Sequence, residues 1–121
     1  MEELMAYLRH LFNGNTVSIY ELGDTTLIGR HLDCNIHIDE PTVSSMHAEV
    51  VKLDGGWKLR DLGSTNGVIV RGRPVEQQDL ESGLIFSLGT HSFEFLDSLP
   101  TDLDRTMKIK KSWIPGIYYT K

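Results

Sequence analysis

Three short runs carry side chains whose types and spacing could do chemistry: Ile28-Gly29-Arg30, Val43-Ser44-Ser45-Met46-His47-Ala48, and Asp61-Leu62-Gly63-Ser64-Thr65-Asn66-Gly67. Arg30 offers a planar fork of donors that can grip a phosphate at two points. Ser44, Ser45, Ser64 and Thr65 add hydroxyl donors on short side chains with little rotamer freedom to lose. Gly29, Gly63 and Gly67 let backbone N–H groups come close to a ligand, because no Cβ stands in the way. Asn66 carries both a donor and an acceptor and can pair with a peptide main chain. One arginine among several neutral donors suits a single phosphate better than a polyanion.

Two other chemistries use the same residues less well. Ser44, His47 and Asp61 have the types of a hydrolase triad. However, no Gly-x-Ser-x-Gly nucleophile elbow is present, and a histidine three residues after its serine on an extended segment does not face it. His31, Cys34 and His37 are evenly spaced, but a zinc site wants four protein ligands or three plus water, and an extended strand would split these side chains between faces. Cys34 reads better as a small core residue. The expectation is no enzyme, no metal and no cofactor.

The elements that must position these clusters read as β. Runs at Tyr7 to Phe12, Thr16 to Leu22, Thr25 to Arg30, Asn35 to Ile38, around Val50-Val51, Trp57 to Arg60, Val68 to Val70, Leu84 to Leu88 and Ser92 to Phe95 are short and β-prone. Asn13-Gly14, Gly23-Asp24 and Asp54-Gly55-Gly56 supply turn chemistry between them. Trp57-Lys58-Leu59-Arg60 alternates apolar and polar, the pattern of a half-buried strand. Short strands at this spacing predict an all-β sandwich or barrel. The start, Glu2 to Leu11, has apolar residues spaced for a helical face, but a frayed end running into the first strand is the preferred reading. Each chemical cluster then falls at a strand end or in a loop, where binding groups on a rigid scaffold usually lie.

Composition narrows the function classes. The chain has 121 residues, 40% hydrophobic and 24% charged, with a net charge of −5. This is globular and of one-domain size. A net acidic chain is a poor binder of duplex nucleic acid, which leaves a basic footprint. One cysteine excludes an internal disulfide. Neither a signal peptide nor an apolar run long enough to span a membrane is seen. A soluble, cytoplasmic protein is the expectation. Charge is uneven, with fourteen acids against seven bases through Leu96 and three against five from Asp97 onward. A boundary is therefore placed at Asp97, dividing a β-sandwich domain at 1–96 from a basic, aromatic tail at 97–121.

Taken together, Gly29-Arg30, Ser44 with His47 three residues on, and Gly63-Ser64-Thr65-Asn66-Gly67 resemble the forkhead-associated (FHA) domain, in order and in spacing, from about Val17 to Leu96. That domain is a phospho-motif reader. The resemblance implies an FHA-like β-sandwich of two twisted, mostly antiparallel sheets with binding loops at one end. It also implies docking onto phosphothreonine in a partner protein, with a Ser/Thr kinase pathway behind it. Carried onto this sequence, Arg30 is similar to the phosphate-gripping arginine and Ser44 to the hydroxyl that donates to a phosphate oxygen. Thr65 resembles the loop threonine supporting the phosphate, and Asn66 the residue that fixes the peptide main chain. Gly29, His47 and Gly67 resemble architectural members.

Ser45 departs from the pattern, which often has Arg or Lys there, so one charge-assisted bond is missing, at a cost of ~1–3 kcal/mol. Thr42, Val43, Arg71 and Arg73 are candidates for reading residues around the phosphothreonine, and Arg71 also for supplying the missing charge. The alternative function is a phospho-independent FHA-fold scaffold or dimerisation domain. In the tail, Trp113, Tyr118 and Tyr119 among lysines read as a strand-like segment packed on its own domain, or as a self-association surface. Thr106 is a candidate phosphorylated ligand for the domain's own site.

Overall fold

The computed structural model describes residues 5–99 and 109–111. Its strands are β1 (Tyr7–Phe12), β2 (Asn15–Glu21), β3 (Thr25–Gly29), β4 (Ile36–His37), β5 (Ala48–Leu53), β6 (Gly56–Asp61), β7 (Val68–Val70), β8 (Arg73–Val75), β9 (Gln77–Leu80), β10 (Ile85–Leu88), β11 (His91–Leu96) and β12 (Ile109–Lys111). They form a seven-stranded sheet in the order β12-β2-β1-β11-β10-β7-β8 and a five-stranded sheet in the order β4-β3-β5-β6-β9. Pairing is antiparallel except for β12 on β2 and β4 on β3. Alternation drives this arrangement. In β6, Trp57 and Leu59 are buried while Lys58 and Arg60 lie on the other face. Phe86, Phe93, Leu8, Ile28, Ile36, Leu59, Val50 and Val68 are among the fully buried side chains between the sheets.

The start is extended: residues 7–12 form β1, and none of the described part of the segment at 2–11 is helical. β8 and β9 have no counterpart among the runs picked out from the sequence. Both are edge strands. β8 carries Pro74 and β9 reads Gln77-Gln78-Asp79, compositions tolerated at an edge, where one side of the ladder is open. The boundary at Asp97 follows the end of β11 at Leu96, but Ile109–Lys111 return to the same sheet and pair with Ile19 to Glu21. Thr106, Trp113, Tyr118 and Tyr119 lie outside the described residues.

Two hairpin turns share one conformation. Asn13 and Gly14 have φ of 53° and 77°, and Arg71 and Gly72 have 52° and 78°. Positive φ at both central residues is the type I′ geometry that matches strand twist, and Asn-Gly is its preferred pair. Arg71 occupies the same backbone state without asparagine's tolerance for it.

Below the loops, at one corner of the sandwich, His10 and His91 share a hydrogen bond of 2.7 Å from Nε2 to Nδ1. His10 stacks on Phe93 at 4.6 Å and His91 on Phe12 at 4.7 Å. Their outer nitrogens, His10 Nδ1 and His91 Nε2, are buried without a partner. Burial, then the neighbouring His91 and Lys110, push the His10 pKa down to about 4. Burial also lowers His91, against the opposing pull of Glu40.

Candidate functional site

The β3–β4, β4–β5 and β6–β7 loops converge at one end of the sandwich, and hydrogen bonds to backbone groups join them. Gly29 ends β3 where the chain passes against the β4–β5 loop. A Cβ there would run into the Ser45 carbonyl and press on Cys34 Sγ, so only glycine fits without displacing backbone. From this contact the two loops run side by side, with Arg30 N donating to Ser44 O (3.0 Å) and His31 N to Ser45 O (3.1 Å). The Cys34 thiol also lies on Ser45 O at 3.4 Å, and burial pushes its pKa up.

Arg30 is exposed, yet its side chain is anchored: Nε donates to Val43 O at 3.0 Å. This bond directs the fork while leaving both terminal nitrogens without a hydrogen bond or ion pair among the described residues. Ser44 Oγ accepts from Thr65 N at 3.0 Å. A backbone N–H can only donate, so the Ser44 hydroxyl proton stays available to a ligand. Asn66 Nδ2 donates to Thr42 O at 2.8 Å, which orients the amide and leaves its oxygen as an exposed acceptor. The β6–β7 loop is braced from inside, by Ser64 N on Asp61 Oδ1 (2.9 Å) and Gly67 N on Ser64 Oγ (2.9 Å).

His47 ties the cluster together from below. It is fully buried. Its Nδ1 accepts from Ser44 N at 3.0 Å and its Nε2 meets Gly67 O at 2.8 Å. A backbone N–H on one side and a carbonyl on the other fix the tautomer with the proton on Nε2. Gly67 adopts a left-handed φ of 82°, a state glycine accepts freely. The Ser44–His47–Asp61 relay is therefore not formed: His47 binds the serine's main chain and Asp61 serves Ser64 N. Among the described residues no group of three or more His, Cys, Asp or Glu is gathered as for a metal ion.

Arg30, Ser44, Thr65 and Asn66 thus come together, with Gly29, His47 and Gly67 holding them. Ser45 is exposed beside Arg30, and its carbonyl rather than its hydroxyl makes the structural contacts. Thr42 borders the site through its carbonyl, and its side chain faces Gly89 in the β10–β11 turn.

Three expectations need correction. Val43 is fully buried, so its side chain cannot read a ligand; only its carbonyl takes part. Arg71 lies in the β7–β8 turn, lining a depression with Gly83, Leu84 and Ile85. That is the start of β10, whereas Thr42 packs near its other end at Gly89. Arg71 is at the wrong end of the sandwich to replace the missing cation, and Arg73, which pairs with Val70 next to that turn, shares its placement. The sequence reading missed His31 and Leu32, which line a depression of about 370 Å³ together with Arg30 and Ser45. Their position after Arg30 was the available signal, but a loop residue's facing is set by the next loop, not by its neighbours in sequence.

The chain is similar to known proteins. The chain is 37% identical over 73 residues to the oxoglutarate dehydrogenase inhibitor of Corynebacterium diphtheriae, covering 60% of this chain and 51% of that one. It is 39% identical over 79 residues to the glycogen accumulation regulator GarA of Mycolicibacterium smegmatis, covering 64% and 49%. The chain thus spans about half the length of the curated relatives it matches. These relatives are named as an inhibitor and a regulator. Among solved structures, Mycobacterium tuberculosis EmbR in complex with a low affinity phosphopeptide superposes with a TM-score of 0.74 at 31% identity, over 84% of this chain and 27% of that one. No helix among the described residues is long and apolar enough to cross a membrane. The family model for the FHA domain matches residues 26–89, more than half of the sequence and all three loops, and the chain belongs to that family.

Proposed function

We propose that this domain is a non-enzymatic module that docks onto phosphothreonine in a partner protein. The observation that carries the reading is the anchored Arg30: Nε is engaged by Val43 O while both terminal nitrogens stay open beside the free hydroxyl proton of Ser44. A phosphorylated side chain brings about −1.5 to −2 charges and three acceptor oxygens, and the cradle supplies one cation and neutral donors to meet them. Asn66, fixed on Thr42 O, presents its carbonyl oxygen to a main-chain N–H of the peptide. The EmbR complex with a phosphopeptide supports this use of the fold. Partners are phosphoproteins made by Ser/Thr kinases, met inside the cell, and nucleic acid is not among them.

Titration calorimetry tests the reading. A phosphothreonine peptide binds, and its unmodified twin binds at least about tenfold more weakly, since charge-assisted bonds contribute ~1.5–3 kcal/mol each. Arg30→Ala weakens binding about 100-fold with the fold intact. Equal affinity for both peptides refutes phosphate recognition.

Ser45, neutral where a second cation often stands, favours one other reading, a phospho-independent scaffold. Dimerisation by light scattering with no phosphopeptide response selects it.

A further inference from the structure

Leu32 is 75% exposed, more than any other large apolar side chain among the described residues. A single exposed leucine needs no explanation. Here each of the three loops presents one such side chain: Leu32 from β3–β4, Met46 (40%) from β4–β5 and Leu62 (38%) from β6–β7. They adjoin. Met46 Sδ lies 3.7 Å from Cys34 Sγ in the β3–β4 loop, and Leu62 N donates to His47 O, one residue on from Met46. Leu32 is also one wall of the depression of about 370 Å³ whose other walls are Arg30, His31 and Ser45. The His31 ring is tied to its own loop, Nδ1 accepting from Asp33 N at 3.0 Å.

We propose that this depression is an apolar subsite for a large aliphatic or aromatic side chain of the bound peptide, one or two residues from the phosphothreonine. The proposal rests on the phosphothreonine reading above and deepens it. Arg30 belongs to both the phosphate cradle and the depression, and Ser45 of the depression directly follows Ser44 of the cradle. An extended chain rises about 3.3 Å per residue, so a side chain entering the depression comes from the immediate neighbourhood of the phosphate. The chemistry of the walls selects against charge. A lysine or arginine there is repelled by Arg30, and a carboxylate competes with the phosphate for the same guanidinium. An apolar side chain gains by covering Leu32. It also supplies affinity that the cradle lacks for want of a cation at Ser45.

The test uses the full chain and calorimetry with a phosphothreonine peptide carrying alanine at the two positions on each side, and four derivatives with one leucine each. One leucine derivative binds about tenfold tighter than the alanine parent, which is about 1.4 kcal/mol. That gain falls below about twofold in Leu32→Ser and persists in Val17→Ser, which removes an equally apolar but exposed β2 side chain outside the three loops. Equal binding of all five phosphopeptides overturns the subsite and leaves the phosphothreonine reading standing. A gain that survives Leu32→Ser also overturns it. Failure of every phosphopeptide to bind removes the reading and the subsite together. Self-association without peptide that is lost in Leu32→Ser assigns the depression to a second copy of this chain and overturns the proposal.

Discussion

The two ends of the sandwich are made of similar parts and behave differently. Each has glycine-containing turns and an exposed arginine. At the loop end, side chains reach from one loop to the backbone of another: Arg30 to Val43, Asn66 to Thr42 and His47 to Gly67. At the other end the turns close mainly through their own strands, and backbone bonds such as Lys52 N to Asp24 O hold neighbours together. Arg30 is fixed by two carbonyls, while Arg71 sits at the tip of a two-residue turn with a φ of 52°. An arginine binds an anion well when its orientation is settled beforehand, because less conformational freedom is lost on binding. Cross-linking between loops, rather than the presence of arginine and glycine, separates the proposed binding end from the other one.

The sharpest way to break this contrast is to cut the link beneath the loops. His47→Ala leaves Ser44 N and Gly67 O without partners in a half-buried place. The variant loses about 2–4 kcal/mol by urea denaturation. A loss under about 1 kcal/mol shows that the loops are held by something other than the imidazole.

Acid probes the corner under the same loops. His10 is held neutral by burial, with its pKa pushed down to about 4 from an ordinary 6.5. Between those values the unfolded chain binds the proton and the folded one does not, so stability falls as pH falls. The contribution is complete above about pH 6.5, and by pH 4.5 about 2–3 kcal/mol of it is gone. His91, Glu40 and Lys110 act on the pair from β11, the β4–β5 loop and β12, and Tyr20 lies 6.5 Å from the His10 ring. His10→Phe flattens this part of the pH profile; an unchanged slope assigns it to carboxylates.

The smallest effect sharpens the contrast from the far end. Arg71→Asn relieves a backbone state that asparagine accepts more readily. It raises stability by about 0.5 kcal/mol and leaves phosphopeptide affinity within about twofold. A large loss of affinity places Arg71 in the binding event and erases the difference between the ends.

Much of the sandwich is legible in the chain because burial on one face enforces alternation, as in Trp57-Lys58-Leu59-Arg60. β8 and β9 were not, because edge strands need no second buried face and carry proline and glutamine freely. β12 is three residues long and has no alternation to read. Its partners at Ile19 to Glu21 are about ninety positions away. Val43 stands one residue before Ser44 and looked available, but the fold turns its side chain into the core and offers only its carbonyl.

Residue types and local spacing were enough to name the donors of the site, because a guanidinium, a hydroxyl and an amide carry their chemistry wherever they stand. Which of them meet was decided by packing. The acceptors that aim Arg30 and Asn66 are main-chain carbonyls of Val43 and Thr42, and every residue but its position in space makes a carbonyl the same. The His10–His91 pair, joined across 81 positions, exists only because β1 and β11 lie side by side.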